Sequence, residues 1–121
     1  MFILLVAGSR TFNDASLLYD KLDFYLQGRE EVLIVHGGAR GADSLANKYA
    51  KDRNYKTKVF LPDWNRYGKK AGILRNIKMF EYISKYQNIG CVVFWDGKSR
   101  GTANDKKLAQ KYNTPLRVVR F

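Results

Sequence analysis

The sequence is poor in residues that do covalent or metal chemistry. It holds one cysteine, Cys91, and one histidine, His36. A single cysteine excludes an internal disulfide and makes the cytoplasm the default compartment. One cysteine and one histidine give no support to a Cys/His zinc site, so no metal and no cofactor are expected. Cys91 opens an apolar run and reads as a small core residue before it reads as a nucleophile. No apolar stretch approaches the ~20 residues that span a bilayer, so no membrane partner is expected. The apolar start Met1 to Ala7 lacks a basic leader and runs straight into Gly8-Ser9-Arg10, which fits a first strand and not a signal peptide. Internal repeats, low-complexity segments and linkers are missing as well. The 121 residues therefore read as one domain, 1–121, with a real core.

Acidic residues are scarce, and unevenly so. Eleven Asp/Glu against 22 Lys/Arg give a net charge of +11. Residues 1–47 carry four basic and six acidic side chains, a net −2; residues 48–121 carry eighteen and five, a net +13. Such asymmetry points to a polyanionic partner, whether nucleotide, nucleic acid or acidic surface. The plain alternative is a solvated basic face that aids solubility.

What the chain does have is apolar runs ending in glycine-rich turns. Val32-Leu-Ile-Val35 leads into His36-Gly-Gly-Ala-Arg-Gly-Ala-Asp43, and a helical pattern at Leu45, Ala46, Tyr49 and Ala50 leaves it. A strand, a glycine turn and a helix N-terminus make a natural anion site, because the first amides of a helix are unpaired and sit at the positive end of its dipole. Gly37, Gly38 and Gly41 would let a ligand approach the backbone, and Arg40 would add charge-assisted hydrogen bonds. Glycine turns have other causes, a tight connection among them. Two further loops of this kind, Gly8-Ser9-Arg10 and Asp96 to Thr102, tilt the balance toward phosphate.

In order, the pattern predicts strands over 2–7, 31–36, 57–61, 90–95 and 116–120. Helices are expected from Asn13 or Asp14 to Gly28, over 42–53, over 69–87 and over 103–112. The segment Pro62 to Gly68 reads as a polar-aromatic loop. The longest helix shows Ile73, Ile77, Phe80 and Ser84 on one stripe and Arg75, Met79, Tyr82 and Tyr86 on the other. Two such faces suggest a homodimer through the second. Alternating β and α elements mean an α/β, Rossmann-like three-layer fold with a five-stranded parallel sheet, order 3-2-1-4-5. The three glycine loops then share the carboxyl rim beside the switch point between strands one and four.

On that rim Ser9 and Arg10 would hold a phosphate, matched by Ser99, Arg100, Gly101 and Thr102. Thr102 alternatively serves as a plain helix cap. Asp43 would accept from a ribose hydroxyl, pair with Arg40, or complement the helix dipole; Asp96 carries similar alternatives. Trp64 or Tyr67 would stack on a base or seal the domain edge. Trp95 reads as core.

Ala7-Gly-Ser-Arg10, His36 to Asp43, Asp63-Trp64 with Tyr67-Gly68, Ala71-Gly72 with Arg75-Asn76, and Ser99-Arg-Gly-Thr102 together resemble the small YspA/YpsA-related branch of the SLOG superfamily, Rossmann-like proteins of bacteria and phages. The resemblance implies binding of nucleotides or nucleotide-derived ligands, with Arg75 and Asn76 joining the site. The Gly38 to Asp43 turn is similar to that of DNA-processing protein A, which implies a single-stranded nucleic-acid-binding module as one alternative. The Arg75 helix and the Ser99 to Thr102 loop are similar in placement to parts of the Lonely Guy phosphoribohydrolases, which implies N-glycosidic cleavage as another. Those enzymes carry a catalytic glutamate where this chain has Asn104, leaving Arg75, Asp105 and Asp96 as catalytic candidates. A binder that senses or sequesters its ligand is therefore the primary expectation.

Overall fold

The computed structural model describes all 121 residues. The chain alternates β1 (Phe2–Gly8), α1 (Ala15–Tyr25), β2 (Val32–His36), α2 (Ala42–Asp52), β3 (Lys56–Val59), the short α3 (Trp64–Tyr67), α4 (Ala71–Ile83), β4 (Ile89–Trp95), α5 (Arg100–Lys111) and β5 (Leu116–Arg120). All four strand pairings are parallel and the sheet order is β3-β2-β1-β4-β5. This is the α/β Rossmann-like sheet that the alternation implies.

Strand alternation divides the core into two layers. Leu4, Val6, Val32, Ile34, Val92 and Phe94 face α1 and α2, where Leu18, Leu22, Ala46 and Tyr49 cover them. Ile3, Leu5, Leu33, Val35, Cys91 and Val93 face α4 and α5, where Met79, Phe80, Ile83 and Leu108 cover them. The interior strands are apolar on both faces because both faces are roofed. The edge strand β3 is the opposite. All four of its residues are exposed, and Lys56 and Lys58 blunt the open edge.

From β1 the chain winds outward through β2 to β3 with α1 and α2 on one face. It then crosses back through α4 on the other face to β4 and β5. The reversal lies between β1 and β4, whose carboxyl ends meet at Gly8 and Phe94. At such a reversal the loops leave in opposite directions and open a crevice.

Several boundaries differ from the expectation. The Pro62 to Gly68 segment is partly helical, because Asp63 caps α3 by accepting from the Arg66 amide. A 3-10 turn at Gly68–Lys70 joins it to α4. The long helix is four residues shorter at its C-terminus, ending at Ile83, where the Ser84 hydroxyl turns back onto the Glu81 carbonyl. The last helix begins earlier, with Ser99 as its N-cap, so Arg100, Gly101 and Thr102 form its first turn and not a loop.

The two faces assigned to the long helix are also redrawn. Ile73 is 52% exposed, whereas Met79 is 2% exposed and packs in the core. Arg75 turns into the crevice. Arg75, Met79, Tyr82 and Tyr86 are therefore not one free surface, since the helix presents Asn76, Met79, Phe80 and Ile83 inward. Tyr82 lies between Phe60 and Tyr86, and only Tyr86 of the four is exposed.

Candidate functional site

A cleft of about 460 Å³ opens at the β1–β4 switch point. Its floor is the end of β1 and the loop after it, Ala7 to Thr11. One wall is α4 with Gly72, Arg75, Asn76 and Met79; the other is the start of α5 with Ser99, Gly101, Thr102 and Asp105. Trp64 and Lys69 stand at the rim. Gly8 is required for this floor: a Cβ there would lie 2.6 Å from both the Ala42 side chain and the Phe94 carbonyl.

The β2 turn contains an anion of its own. The Asp43 carboxylate accepts from the amides of Gly37 and Ala39 at 3.1 and 3.2 Å. The Gly38 amide donates to His36 Nδ1, and His36 Nε2 meets Asn47 Oδ1, both at 3.0 Å. His36 thus carries its proton on Nε2 and serves the turn. Asp43 is buried and pairs with these amides, not with Arg40. The nest expected to cradle a ligand's phosphate is filled by a side chain of the following helix. Gly41 is likewise structural, with φ at +82° and a virtual Cβ 2.5 Å from the Ser9 carbonyl. It locks the β2 turn against the β1 loop.

Arg75 joins this turn to α4. Its Nε donates to Asn76 Oδ1 at 2.7 Å and its Nη1 to the Gly37 carbonyl. Burial lowers its pKa, opposed by the charges of Asp43 and Asp105. The two carboxyls around it are unequal. Burial raises both, but Asp43 has two amide donors and Asp105 has none. Asp105 is 4% exposed, its Oδ1 has no partner, and burial with the nearby Asp43 charge pushes its pKa up to about 8. The two amide donors of Asp43 oppose the rise that burial imposes on it, whereas nothing donates to Asp105, whose protonated form is favoured by burial and the nearby Asp43 charge.

The start of α5 is built by short polar links. Asp96 Oδ1 accepts from the Lys98 and Ser99 amides, both at 2.8 Å, which hold its pKa below the usual range. The Asp96 amide donates to the buried Ser9 hydroxyl at 3.3 Å, tying the β4 loop to the β1 loop. Trp95 is half-buried and donates through Nε1 to the Ser99 carbonyl. Ser99 caps the helix by accepting from the Thr102 amide. The amides of Arg100 and Gly101 belong to the first turn, which has no intrahelical acceptors. Gly101 meets nothing within 4 Å of a virtual Cβ, so the cleft approaches it unobstructed.

The cleft thus gathers Gly8, Ser9, Arg10, Asp43, Trp64, Arg75, Asn76, Asp96, Ser99, Gly101, Thr102 and Asp105. Gly37, Gly38 and Arg40 border an adjoining hollow instead. Arg100 is exposed and outside both, because its place on the first turn of α5 directs it to solvent. Asp105 lines the cleft and Asn104 does not, because the helix turns Asp105 inward. Sequence reasoning missed Thr11, Lys69, Ile73 and Met79 as cleft residues. Only the 3-10 turn brings Lys69 to the rim, and the sequence carried no signal for that turn.

The model of the YspA, cpYpsA-related SLOG family matches residues 2–67, which hold β1, the β2 turn and α3. The Gene 61 protein of Mycobacterium phage D29 is 36% identical over 118 residues, covering 93% of this chain and 91% of that protein. A crystal structure described as a predicted subunit of tRNA methyltransferase from Methanocaldococcus jannaschii aligns with 98% of this chain and 67% of its own, at 15% identity and a TM-score of 0.44, too distant to bear on function. The family match over more than half of the chain and the end-to-end phage relative make this protein a member of the YspA, cpYpsA-related SLOG family.

Proposed function

We propose that the protein binds a phosphorylated nucleotide or nucleotide derivative in the β1–β4 cleft, as a sensor or sequestering protein. The observation that carries the reading is the cleft itself. Guanidiniums of Arg10 and Arg75, the Ser9 and Thr102 hydroxyls and the open start of α5 converge on one space of about 460 Å³. Helix amides and arginine donors suit phosphate. Asn76 and the unpartnered Asp105 offer hydrogen-bonding groups for sugar or base farther in. Mass spectrometry of small molecules released from freshly purified protein should identify a nucleotide. Calorimetry should then show Arg10→Ala weakening it by about 1.5–3 kcal/mol, the worth of a charge-assisted hydrogen bond. Unchanged affinity in Arg10→Ala and Arg75→Ala would remove the site from this cleft.

A second reading, cleavage of the N-glycosidic bond, is favoured by one specific observation: Asp105 and Arg75 share the cleft. A carboxyl that keeps its proton suits a general acid better than a stabiliser of an oxocarbenium-like sugar, which needs negative charge. Binding without turnover therefore remains the primary reading. Multiple-turnover release of free base, lost in Arg75→Ala, would reverse that order.

A further inference from the structure

The cleft does not end at Arg10 and Arg75. On their far side lies a second hollow of about 460 Å³, and the two share Arg10, Ala39, Trp64 and Arg75 as a common wall. Beyond that wall the second hollow adds Arg40, Leu61 and Pro62. No carboxylate lines it. The Gly37 to Ala39 amides along its edge are already used by Asp43 and His36, so the guanidiniums are what it offers to an anion. Its other surface is apolar and uncovered. Leu61 is 73% exposed and Trp64 50%. Leu61 leans over Gly38, whose virtual Cβ would lie 2.6 Å from it. A bare phosphate chain would leave those two side chains wet, whereas a flat ring would cover them.

Resting on the nucleotide-binding reading of the cleft, we infer that the ligand is a two-base nucleotide, with two nucleosides joined through phosphate. One nucleoside occupies the switch-point cleft. The bridging phosphates lie on the shared wall between Arg10 and Arg75. The second base lies against Trp64, Leu61 and Pro62, with Arg40 beside it. Each hollow falls within the size range of small-molecule sites, and the shared arginines make the two continuous.

The test is calorimetry with matched pairs: AMP against diadenosine diphosphate, and GMP against diguanosine diphosphate. In one pair the two-base member should bind at least tenfold more tightly. Arg40→Ala, at an exposed position where folding is not at risk, should reduce that advantage below threefold and leave the mononucleotide within twofold. Equal affinity within both pairs, unaffected by Arg40→Ala, overturns the two-base inference and leaves the cleft reading standing. No binding of any of the four, with no nucleotide released from the purified protein, overturns both. Tighter binding of a twenty-residue oligothymidylate than of either two-base ligand overturns the inference in favour of a nucleic-acid surface.

Discussion

At the scale of the residue, Asp105 is a side chain with a buried, unpartnered atom, as are Asn104 and Thr114, and the one of the three that titrates. It is buried, unpartnered at Oδ1 and holds its proton up to about pH 8. The unfolded chain gives up that proton near pH 4. Between these values the folded state binds more protons than the unfolded state, so stability falls as pH rises and levels off above about 8. Asp105→Asn removes this dependence. The variant should be more stable than the parent at pH 7 by on the order of 2–4 kcal/mol, and equal or slightly less stable at pH 4. Urea denaturation at the two pH values checks this, and equal differences at both would mean that Asp105 titrates normally. Two glycines provide a second residue-scale contrast. Gly41→Ala places a Cβ against the Ser9 and Arg10 carbonyls at positive φ and should cost roughly 2–4 kcal/mol. Gly101→Ala has open space and a helical backbone, so stability should stay within about 1 kcal/mol of the parent while any ligand seated there is weakened. A shift in denaturation midpoint for both variants would place Gly101 in the packing and not in the site. Residue spacing alone made these glycines look alike. What separates them is the β1 loop lying across Gly41, a contact between elements that are adjacent only after folding.

At the scale of the element, most of the architecture was legible. Apolar runs at 2–7 and 90–95 read as strands, and their alternation with helical patterns implied parallel pairing in a sheet covered on both faces. The start of α5 was misplaced because Gly101 argues for a loop, whereas Ser99 and Asp96 settle the matter through hydrogen bonds no periodicity displays. On α4, the apolar and aromatic residues are spread around the whole helix, so the sequence could not say which face meets the sheet. Packing decides it, by turning Met79 inward and leaving Ile73 out. Met79→Ala should therefore act as a core truncation, costing about 2–5 kcal/mol of stability. Denaturation and light scattering on the same samples distinguish the cases. Loss of association without loss of stability would restore Met79 to an interface.

At the scale of the whole molecule, the question is how the +11 charge divides between a general field and a built site. Most of the cationic side chains are exposed, among them Lys56, Lys58, Arg66, Lys78, Lys98, Arg100 and Arg117. Exposed charges separated by more than a Debye length, about 8 Å at physiological ionic strength, are largely screened. Arg75 differs: it is half-buried, anchored to Asn76 and Gly37, and opens into the cleft. Its attraction for an anion is screened far less. The exposed field should attract long single strands by counterion release, with a loss that grows with every phosphate neutralised. On the proposed reading, a nucleotide in the cleft would engage few phosphates and one protected guanidinium. Raising salt from 50 to 200 mM should therefore weaken oligonucleotide binding by at least about 30-fold and nucleotide binding by less than about fivefold. Fluorescence anisotropy for the strand and calorimetry for the nucleotide, in the same buffers, supply the two slopes. Equal slopes would mean that the cleft is one patch of a general basic surface. A shallow strand slope, together with strand affinity lost in Arg75→Ala, would instead thread nucleic acid through the cleft itself.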